Sequence, residues 1–390
     1  MSRDETMLAL VYDAARDDWD TTKGFRKAEV ARPRLDEASN PEDATCAIVK
    51  TRYAGVCGSD RGIWFRTSFK GMILDSLAEE KKTRRIIGHE MVGEVVELGK
   101  VARARTGIRV GETVAAESHI VCGRCYQCRM GEFHVCSDNL ILGISIDGCF
   151  AQYVKVPARV LWPTDESKIR WEVAAIQEPF GNAVHACTRV DVRGRSVAVF
   201  GCGPIGLFPI LIARALGAAR ILGVEPSARN RAMAKALGAD EVFDPGAPGP
   251  TPWAASPTLV QALLEATRGV GVDVAVEMAG KNASVNNAIR SARRGGDVVL
   301  FGLKSGDFTI QGFDRVIVNG LTLHAVIGRQ IFRTWYVTRS LLEDRSNGIQ
   351  GKIFDVILAG GKETVLPAGA FDPAAFERKL TEHTKLLLEF

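Results

Sequence analysis

Four cysteines lie close together in the sequence, at Cys122, Cys125, Cys128 and Cys136. The spacing Cys-x2-Cys-x2-Cys-x7-Cys lets consecutive thiolates turn inward on one loop, so that four sulfur atoms surround one tetrahedral metal ion. Because such a set leaves no coordination position open, we predict a structural metal site. An iron–sulfur cluster is the alternative, but no proline follows the last cysteine and the chain has no second cluster motif.

A second set of metal-ligand types is spread over a longer stretch, at Cys57, His89 and Glu90. A thiolate, an imidazole and a carboxylate are ligands that zinc accepts, and a set of three leaves one position open for a substrate. Taken singly, the residues have plainer interpretations. A lone cysteine in an apolar run is usually a core residue, and a His-Glu pair usually lies on the surface. The residues alone leave both interpretations open.

A glycine-rich turn, Gly201-Cys-Gly-Pro-Ile-Gly206, follows the short apolar run 196–200 and precedes a helix-like apolar run. Gly201 would allow a tight turn, Gly203 would let the backbone approach a pyrophosphate, and Gly206 would let the helix pack against the strand. The phosphates would then lie at a helix N-terminus, where N–H groups point outward. A membrane span is the alternative, but residues 197–213 are too short and too interrupted by glycine and proline.

An acidic residue supports the prediction of a dinucleotide site. Glu225 ends a second apolar run, 221–224, which places it about twenty residues beyond the glycine-rich turn. A carboxylate at this position accepts hydrogen bonds from both hydroxyls of an adenosine ribose. The pattern therefore favours NAD over NADP.

Length and composition limit the classes of protein to which the chain can belong. The chain has 390 residues, of which 46% are hydrophobic and 25% charged, which is typical of a soluble globular protein with two domains. The net charge of +4 is spread along the chain without a basic block, so neither nucleic acid nor a membrane is expected as a partner. The polar start of the chain has no signal-peptide core, which predicts a cytoplasmic protein. Nine cysteines in a reducing compartment indicate metal binding rather than disulfides.

Strands and helices must position these residues. Strands are predicted at residues 7–12, 47–53, 92–98 and 148–156, with turns and loop after the first of them. From Trp171 the pattern becomes helical, and Glu178 is expected at a helix start, where it could cap the helix or bind a metal. Residues 61–85 carry a basic run and are predicted to form a solvated loop or short helix. A lid that faces the substrate is the alternative for this segment.

Beyond the glycine-rich turn, helix and strand patterns alternate. Helices are predicted at 228–238, 258–267 and 283–292, and strands at 241–243, 272–278 and 297–301. This alternation predicts an α/β fold with a parallel sheet and helices on both faces. In such a sheet a ligand lies at the carboxyl ends of the strands, which here include residues 278–280 and 301–303.

Several sequence blocks resemble those of the zinc-dependent medium-chain alcohol dehydrogenases, over about residues 47–335. They are Cys57-Gly-Ser-Asp60, Gly88-His-Glu90, the block from Glu117 to Cys128, the block from Glu178 to His185, and the block from Gly328 to Tyr336. Within that superfamily the chain is most similar to the threonine dehydrogenases. The resemblance implies a GroES-like, mainly-β catalytic domain over residues 1–170, completed by about 337–390. It also implies a Rossmann domain, a doubly wound parallel sheet that binds NAD, over residues 171–336.

The resemblance also assigns roles to residues. It implies a catalytic zinc on Cys57, His89 and Glu90, with Glu178 as a nearby carboxylate that can enter or leave the metal shell. It implies that Ser59 passes a proton away from the substrate, and that the four clustered cysteines hold a structural zinc. The residues implied to contact NAD are Gly201, Gly203, Pro204, Ile205, Gly206, Glu225, Asn230, Phe301, Gly302, Leu303, Val326 and Ile327. The implied reaction is hydride transfer from a secondary alcohol, and the implied assembly is a homotetramer or homodimer.

The chain departs from the threonine dehydrogenases at three places. Gly62 stands where that family has a histidine of the proton relay, so the proton must leave through water or another group. Asn230 replaces an arginine that contacts adenosine and is flanked by Arg229 and Arg231, which leaves NADP open as an alternative. The segment from Gly62 to Arg85 is longer than its counterpart, and Cys57-Gly-Ser-Asp-Arg61 is similar to a block of glucose dehydrogenases.

Three alternatives to a threonine dehydrogenase follow. The first is a sugar or polyol dehydrogenase of the glucose or sorbitol type, and the second is a non-catalytic nucleotide-binding relative. The presence of Cys57, His89 and Glu90 disfavours the second. The same residues and the four-cysteine cluster disfavour the third alternative, a zinc-free enoyl or quinone reductase.

Overall fold

The computed structural model describes residues 5–247, 249–303 and 306–390. The chain divides into two compact units, of which unit 1 comprises Met1–Pro179 and Ile353–Phe390 and unit 2 comprises Phe180–Lys352. The prediction drawn from the polar start of the chain rests in part on residues 1–4, which lie outside the described residues. Among the described helices, none combines the length and the apolar character that a bilayer crossing requires.

The strands in chain order are β1 (Thr6–Asp13), β2 (Arg26–Ala31), β3 (Cys46–Val56), β4 (Arg84–Ile86), β5 (Glu90–Leu98), β6 (Thr113–Ala116), β7 (His119–Ile120), β8 (Leu140–Ile141), β9 (Tyr153–Pro157), β10 (Leu161–Pro163), β11 (Ser196–Phe200), β12 (Arg220–Val224), β13 (Glu241–Phe243), β14 (Val272–Glu277), β15 (Ala292–Leu300), β16 (Thr322–Ala325), β17 (Val365–Pro367) and β18 (Leu386–Glu389).

The α-helices are α1 (Gly58–Trp64), α2 (Lys70–Glu79), α3 (Lys100–Arg105), α4 (Tyr126–Arg129), α5 (Trp171–Ala174), α6 (Gln177–Thr188), α7 (Phe208–Ala215), α8 (Ala228–Leu237), α9 (Pro257–Ala266), α10 (Asn282–Ser291), α11 (Asp314–Val318), α12 (Arg333–Glu343), α13 (Ile349–Lys352) and α14 (Pro373–Glu382). Short 3-10 turns cover Pro41–Thr45, Phe133–Val135, Ala158–Val160, Arg345–Asn347, Ala359–Gly361 and Ala368–Ala370, and a π-helical turn covers Ile353–Ile357.

Unit 1 is built on a mainly antiparallel sheet with the strand order β10-β6-β5-β3-β18-β17, in which β9 also pairs with β3. A smaller sheet has the order β2-β1-β4. The long strand β3 can serve as the centre because its residues Ala47, Val49, Ala54 and Val56 pack in the hydrophobic core of this unit. Strands β3 and β5 are the elements that position the predicted site of Cys57, His89 and Glu90, since Cys57 follows β3 and Glu90 begins β5.

Close packing between these two strands depends on a glycine. Gly55 lies opposite Glu90 in the antiparallel register of β3 and β5. A Cβ atom at Gly55 would overlap the carboxylate of Glu90, so a larger residue at position 55 would displace that side chain. The missing side chain therefore allows the carboxylate to lie against the strand.

Unit 2 contains a parallel sheet with the strand order β13-β12-β11-β14-β15-β16. Numbered within the unit this is the order 3-2-1-4-5-6, which is the order of a doubly wound dinucleotide-binding sheet. Its central strands are rich in apolar residues because they are covered on both faces, and Phe200, Leu222 and Val298 are completely buried. The predicted parallel sheet is confirmed, and all six predicted helices and strands of residues 228–301 are present within a few residues of their expected bounds.

The prediction of loop after the first strand is wrong for residues 26–31. They form β2, which pairs with β1 in antiparallel register. The strand was missed because its residues alternate only between exposed and half-buried, so that little apolar signal remains in the sequence. The predicted strand 148–156 is also too long, since β9 begins only at Tyr153 and the N–H of Cys149 instead donates to the Gly88 carbonyl oxygen at 2.9 Å.

The segment between Cys57 and His89 is more ordered than the solvated loop or short helix predicted for it. It forms α1, α2 and β4. The guanidinium of Arg85, from the basic run, is fully buried and donates to Ser76 Oγ at 3.1 Å, Glu80 Oε1 at 2.6 Å and Asp147 Oδ1 at 3.1 Å. These bonds attach α2 to the body of unit 1, so the solvated interpretation is wrong for Arg85.

Candidate metal centres and cofactor site

The first candidate metal centre unites Cys57, His89 and Glu90. Cys57 is the N-cap residue of α1, and His89 and Glu90 lie at the start of β5. One ligand atom from each residue can be chosen so that all three lie within 4.8 Å of one another. Glu90 is fully buried, His89 is 5% exposed and Cys57 is half-buried. Side chains that are about thirty residues apart in the sequence therefore converge on one point.

Buried polar atoms at this point fit a metal ion. Oε1 of Glu90 is buried, and within the described part of the chain it has no hydrogen-bond partner. Leaving such an atom without a partner costs about 1–3 kcal/mol, and coordination of a cation would remove that cost. The donor set of one sulfur, one nitrogen and one oxygen matches the preferences of zinc.

Charges around His89 also favour a cation. Oδ1 of Asp60 lies 3.7 Å from His89 Nδ1, and the other carboxylate oxygen of Asp60 accepts a hydrogen bond from the N–H of Cys57 at 2.8 Å. Burial raises the pKa of Asp60 to about 6. Burial acts to lower the pKa of His89, but the negative charges of Asp60 and Cys57 outweigh it and raise that pKa to about 10. The shift of Asp60 reports burial, and the shift of His89 reports the negative charges beside it.

Lys385 is a member of this site that the sequence analysis missed. Its side chain is 3% exposed, its ammonium group forms an ion pair with Glu90 Oε2, and it donates to the carbonyl oxygen of Val56 at 3.0 Å. Burial alone would lower the pKa of Lys385, but the charges of Glu90 and Cys57 raise it above its ordinary value, so this lysine is charged. The only sequence signal is a lysine directly before the apolar strand β18, nearly three hundred residues from its partner.

Two further residues that were predicted for this site lie close to it. Oγ of Ser59 is 3.4 Å from Nε2 of His89. Glu178 lies in the first turn of α6 and is buried, and it accepts a hydrogen bond from Ser118 Oγ at 2.7 Å. Glu178 does not belong to the group of three ligand atoms within 4.8 Å, so its entry into the metal shell stays a prediction. His119 continues this network, with Nδ1 3.3 Å from Ser118 Oγ.

The second candidate metal centre is the four-cysteine cluster. The sulfur atoms of Cys122, Cys125, Cys128 and Cys136 lie within 4.8 Å of one another, and the four residues form no disulfide. The backbone N–H groups of Cys122, Cys125 and Cys128 donate to sulfur atoms of the cluster at 3.4 to 3.5 Å. N–H groups, above all that of Cys128, lower the pKa of Cys125 to about 5. The loop therefore stabilises the thiolate of Cys125, which is the form that binds a metal, whereas burial raises the pKa of Cys128 to about 12.

The glycine-rich turn occupies the carboxyl end of β11. Gly201 has a φ of +90°, and a Cβ atom at Gly206 would overlap the carbonyl oxygen of Gly201. A Cβ atom at Gly203 would meet no atom within 4 Å, so the turn faces open space at that residue. Pro204 and Ile205 complete the turn, and α7 begins two residues beyond Gly206. The geometry leaves the backbone of Gly203 accessible to a phosphate group.

Glu225 lies directly beyond β12, at the same edge of the sheet. Its two carboxylate oxygens accept hydrogen bonds from the N–H of Cys202 at 2.8 Å and the N–H of Ser227 at 2.9 Å. Each oxygen retains a lone pair for a further donor such as a ribose hydroxyl. Asn230 lies in the first turn of α8. The neighbouring Arg231 donates to the carbonyl oxygen of Glu225 at 2.8 Å and pairs with Asp244 at 2.8 Å, so it is held within the protein.

The remaining predicted cofactor residues follow β15 and β16. Phe301 and Gly302 each donate a backbone hydrogen bond to the carbonyl oxygen of Glu277 at 3.0 Å, and Leu303 is 83% exposed. Val326 is buried and Ile327 is exposed, directly beyond β16. The residues predicted to contact NAD therefore lie at the carboxyl edge of one parallel sheet. Their contacts with a cofactor stay predictions.

Comparisons with known proteins agree with this arrangement. A family described as "Alcohol dehydrogenase GroES-like domain" matches residues 43–166, and one described as "Zinc-binding dehydrogenase" matches residues 204–344. The L-threonine 3-dehydrogenase of Symbiobacterium thermophilum is 38% identical over 294 residues, which cover 75% of this chain and 78% of that protein. That of Caldanaerobacter subterraneus is 36% identical over 297 residues, which cover 76% of this chain and 80% of that protein.

The same fold occurs in solved structures. That of 2R,3R-butanediol dehydrogenase from Bacillus subtilis superimposes with a TM-score of 0.78 and 24% sequence identity, and the match covers 98% of this chain and 99% of that one.

Proposed function

Because this chain belongs to the zinc-binding dehydrogenase family, whose members are oxidoreductases that act on a CH–OH group with NAD or NADP, we propose that it oxidises L-threonine or a related amino alcohol with NAD. The observation that carries the proposal is the convergence of the ligand atoms of Cys57, His89 and Glu90 within 4.8 Å. The curated relatives named L-threonine 3-dehydrogenase support the choice of substrate class, since they match over three quarters of the chain.

We assign the two metal centres different roles. Cys57, His89 and Glu90 would hold a catalytic zinc, with Glu178 as an additional carboxylate, because three protein ligands leave a position open for the substrate. Zinc at that place would act as a Lewis acid that polarises the substrate hydroxyl. The four cysteines at 122, 125, 128 and 136 would hold a structural zinc, because their set is closed.

Residues of the chain would handle the proton that the hydroxyl releases. Ser59 Oγ lies 3.4 Å from His89 Nε2, which places a hydroxyl beside the metal ligands. A hydroxyl both donates and accepts hydrogen bonds, so it can pass a proton onward. Since Gly62 supplies no side chain for the next step, the proton would leave Ser59 through water.

The cofactor is proposed to be NAD. The carboxylate of Glu225 lies at the carboxyl end of β12, where it would accept hydrogen bonds from ribose hydroxyls and repel a 2′-phosphate. Arg231 is engaged by Asp244 and by backbone carbonyl groups, so its positive charge is already partnered within the chain. Both features favour NAD over NADP.

The two domains are proposed to have different roles. We propose that residues 1–170 with about 337–390 form the catalytic domain that carries both zinc sites, and that residues 171–336 bind the dinucleotide. We also propose that the enzyme works in the cytoplasm as a homotetramer or homodimer.

A substrate panel tests the proposal. Zinc-loaded protein is incubated with L-threonine, with polyols and with sugars, each with NAD and with NADP, and the reduced cofactor is followed by absorbance. We expect the highest kcat/KM for L-threonine or another amino alcohol with NAD. A preference for glucose or sorbitol would instead identify a sugar or polyol dehydrogenase, and no turnover with any substrate would contradict catalysis altogether.

A further inference from the structure

A buried carboxylate, Glu277, lies at the centre of the carboxyl edge of the unit 2 sheet. It is the last residue of β14 and is fully buried. Its Oε1 accepts hydrogen bonds from the N–H of Ala279 at 2.9 Å, the N–H of Gly280 at 3.1 Å and Oγ of Ser284 at 2.6 Å. Its Oε2 accepts from the N–H of Gly280 at 3.2 Å. One side chain thus fixes the loop after β14 to the first turn of α10.

The backbone of the same residue fixes the next loop. The carbonyl oxygen of Glu277 accepts hydrogen bonds from the N–H groups of Phe301 and Gly302, each at 3.0 Å. A Cβ atom at Gly302 would lie 2.7 Å from Glu277 Oε2, so this loop packs directly on the carboxylate. A Cβ atom at Gly201 would likewise lie 2.7 Å from the Cβ atom of Ala279. The loops after β14 and β15 are therefore both bound to Glu277, and the glycine-rich turn packs against Ala279 of the loop after β14.

The order of strands indicates which part of NAD these loops would meet. Glu225 follows β12, the glycine-rich turn follows β11, and Glu277 ends β14, which lies on the opposite side of β11 from β12. With the adenosine ribose at Glu225 and the pyrophosphate at the glycine-rich turn, the cofactor runs across the sheet toward β14 and β15. The nicotinamide half would then lie over the loops that Glu277 holds. This step depends on the proposed function.

We propose that Glu277 is a positioning residue that holds the loops after β14 and β15 in the shape that receives the nicotinamide half of NAD. It needs no contact with the cofactor for this role. A carboxylate is suited to it because both oxygens are acceptors and can bind several N–H groups at once. A glutamine would present an amide N–H₂ group to one of these donors.

The test compares two substitutions on the same strand. Glu277→Gln replaces one acceptor oxygen by an amide N–H₂ group at the carboxyl end of β14 and removes the negative charge. Asp273→Asn is the matched control, because Asp273 near the amino end of β14 also accepts from a backbone N–H, that of Ser196 at 2.9 Å, and from Ser196 Oγ at 2.7 Å. It also accepts from Arg293 Nε at 2.6 Å. Both variants lose charge-assisted bonds of β14, but only the first change lies at the cofactor edge.

Binding of NADH and of AMP is measured by calorimetry, without any turnover. We expect Glu277→Gln to weaken NADH binding about 10- to 100-fold, from the usual strength of hydrogen bonds to a charged group, while AMP binding changes less than about twofold. AMP lacks the nicotinamide half, so it reports only on the part of the site near Glu225. Asp273→Asn should leave both affinities within about twofold of the wild type, although it lowers thermal stability.

Each remaining outcome decides the question. Unchanged NADH binding in folded Glu277→Gln overturns the proposal, because the carboxylate then has only a structural role. Equal weakening of AMP and NADH also overturns it. If Glu277→Gln does not fold, Ser284→Ala decides, since it removes one bond to the same carboxylate and should weaken NADH severalfold but not AMP. Wild-type protein that does not bind NADH contradicts the proposed function instead.

Discussion

The ion pair between Lys385 and Glu90 should weaken the binding of zinc at the same carboxylate. Lys385 is 3% exposed and Glu90 is fully buried, so the two charges compensate each other away from water. Zinc at the site of Cys57, His89 and Glu90 would bring a second positive charge to the same carboxylate. The substitution Lys385→Met removes the ammonium group and keeps most of the side-chain volume. The variant therefore tests whether Glu90 coordinates zinc or only forms the ion pair with Lys385.

The magnitude follows from the cost of a buried unpaired charge. Removal of one partner of a buried ion pair destabilises a protein by about 3–5 kcal/mol, because the other charge stays buried without compensation. In zinc-loaded protein the metal would supply that compensation, so most of the cost would fall on the metal-free form. The metal-free form thus rises in free energy more than the zinc-bound form does. We expect zinc to bind Lys385→Met at least tenfold more tightly than the wild type, with an upper bound of about 4000-fold if the full ~5 kcal/mol falls on the metal-free form.

Zinc affinity at the site is measured by competition with a chromogenic chelator, and stability by thermal unfolding with and without zinc. Lys155→Met is the matched control in the same unit. Lys155 pairs with Asp43 at 2.9 Å, and the buried Asp43 also accepts from the N–H of Asp36 at 2.8 Å and from Asn40 Nδ2 at 2.9 Å. Loss of this pair should therefore lower stability but leave zinc affinity unchanged.

Two results would refute this reasoning. If Lys385→Met lowers stability equally with and without zinc, the metal does not contact Glu90. If the variant loses zinc, Lys385 orients Glu90 for the metal instead of competing with it.

Further predictions concern the four-cysteine loop and the buried arginine of unit 1. Cys122→Ser should lower the zinc content by one ion per chain and expose residues 119–141 to proteolysis, because the closed site loses a ligand; unchanged metal content would contradict a shared four-thiolate site. Arg85→Met should destabilise unit 1 by about 1–3 kcal/mol and speed proteolysis of α2 at neutral pH, since three acceptors lose their donor. The Glu80 side chain adds a pH dependence: burial acts to raise its pKa, but the bonds from Arg85 and Lys82 together outweigh it and lower the pKa. The wild type should therefore lose protection of α2 as the pH falls below the ordinary range of glutamate, whereas Arg85→Met, which keeps only the Lys82 pair, should show a smaller loss.

The sequence was informative where local signals are strong. The superfamily resemblance and the parallel sheet are confirmed. Both could be predicted because their signals are local: the spacing of the cysteines, the glycine-rich turn, and the alternation of helix and strand patterns over residues 228–301. Both metal-ligand sets are brought together in space. The spacing predicted this for the four cysteines, whereas for Cys57, His89 and Glu90 it was implied by the family resemblance. Occupation of both sites by zinc stays a prediction.

The features that were missed are those that depend on distant parts of the chain. The ion pair of Lys385 joins residues 295 positions apart, and neither residue carries a local mark of its partner. Glu277 was predicted only as part of a strand, and its burial and its role in fixing two loops were missed because they depend on the loop after β15. The burial of Arg85 was missed because a basic run usually lies in water, and its acceptor Asp147 is supplied by a distant loop.

The central claim is that Cys57, His89 and Glu90 hold a zinc ion on which oxidation of the alcohol depends. Metal content is the most direct measurement, made on the wild type, Cys57→Ala and Cys122→Ala together with NAD reduction. We expect two zinc ions per chain in the wild type, and one in each variant, with no turnover in Cys57→Ala. A single zinc ion that survives Cys57→Ala and disappears in Cys122→Ala would contradict the catalytic centre.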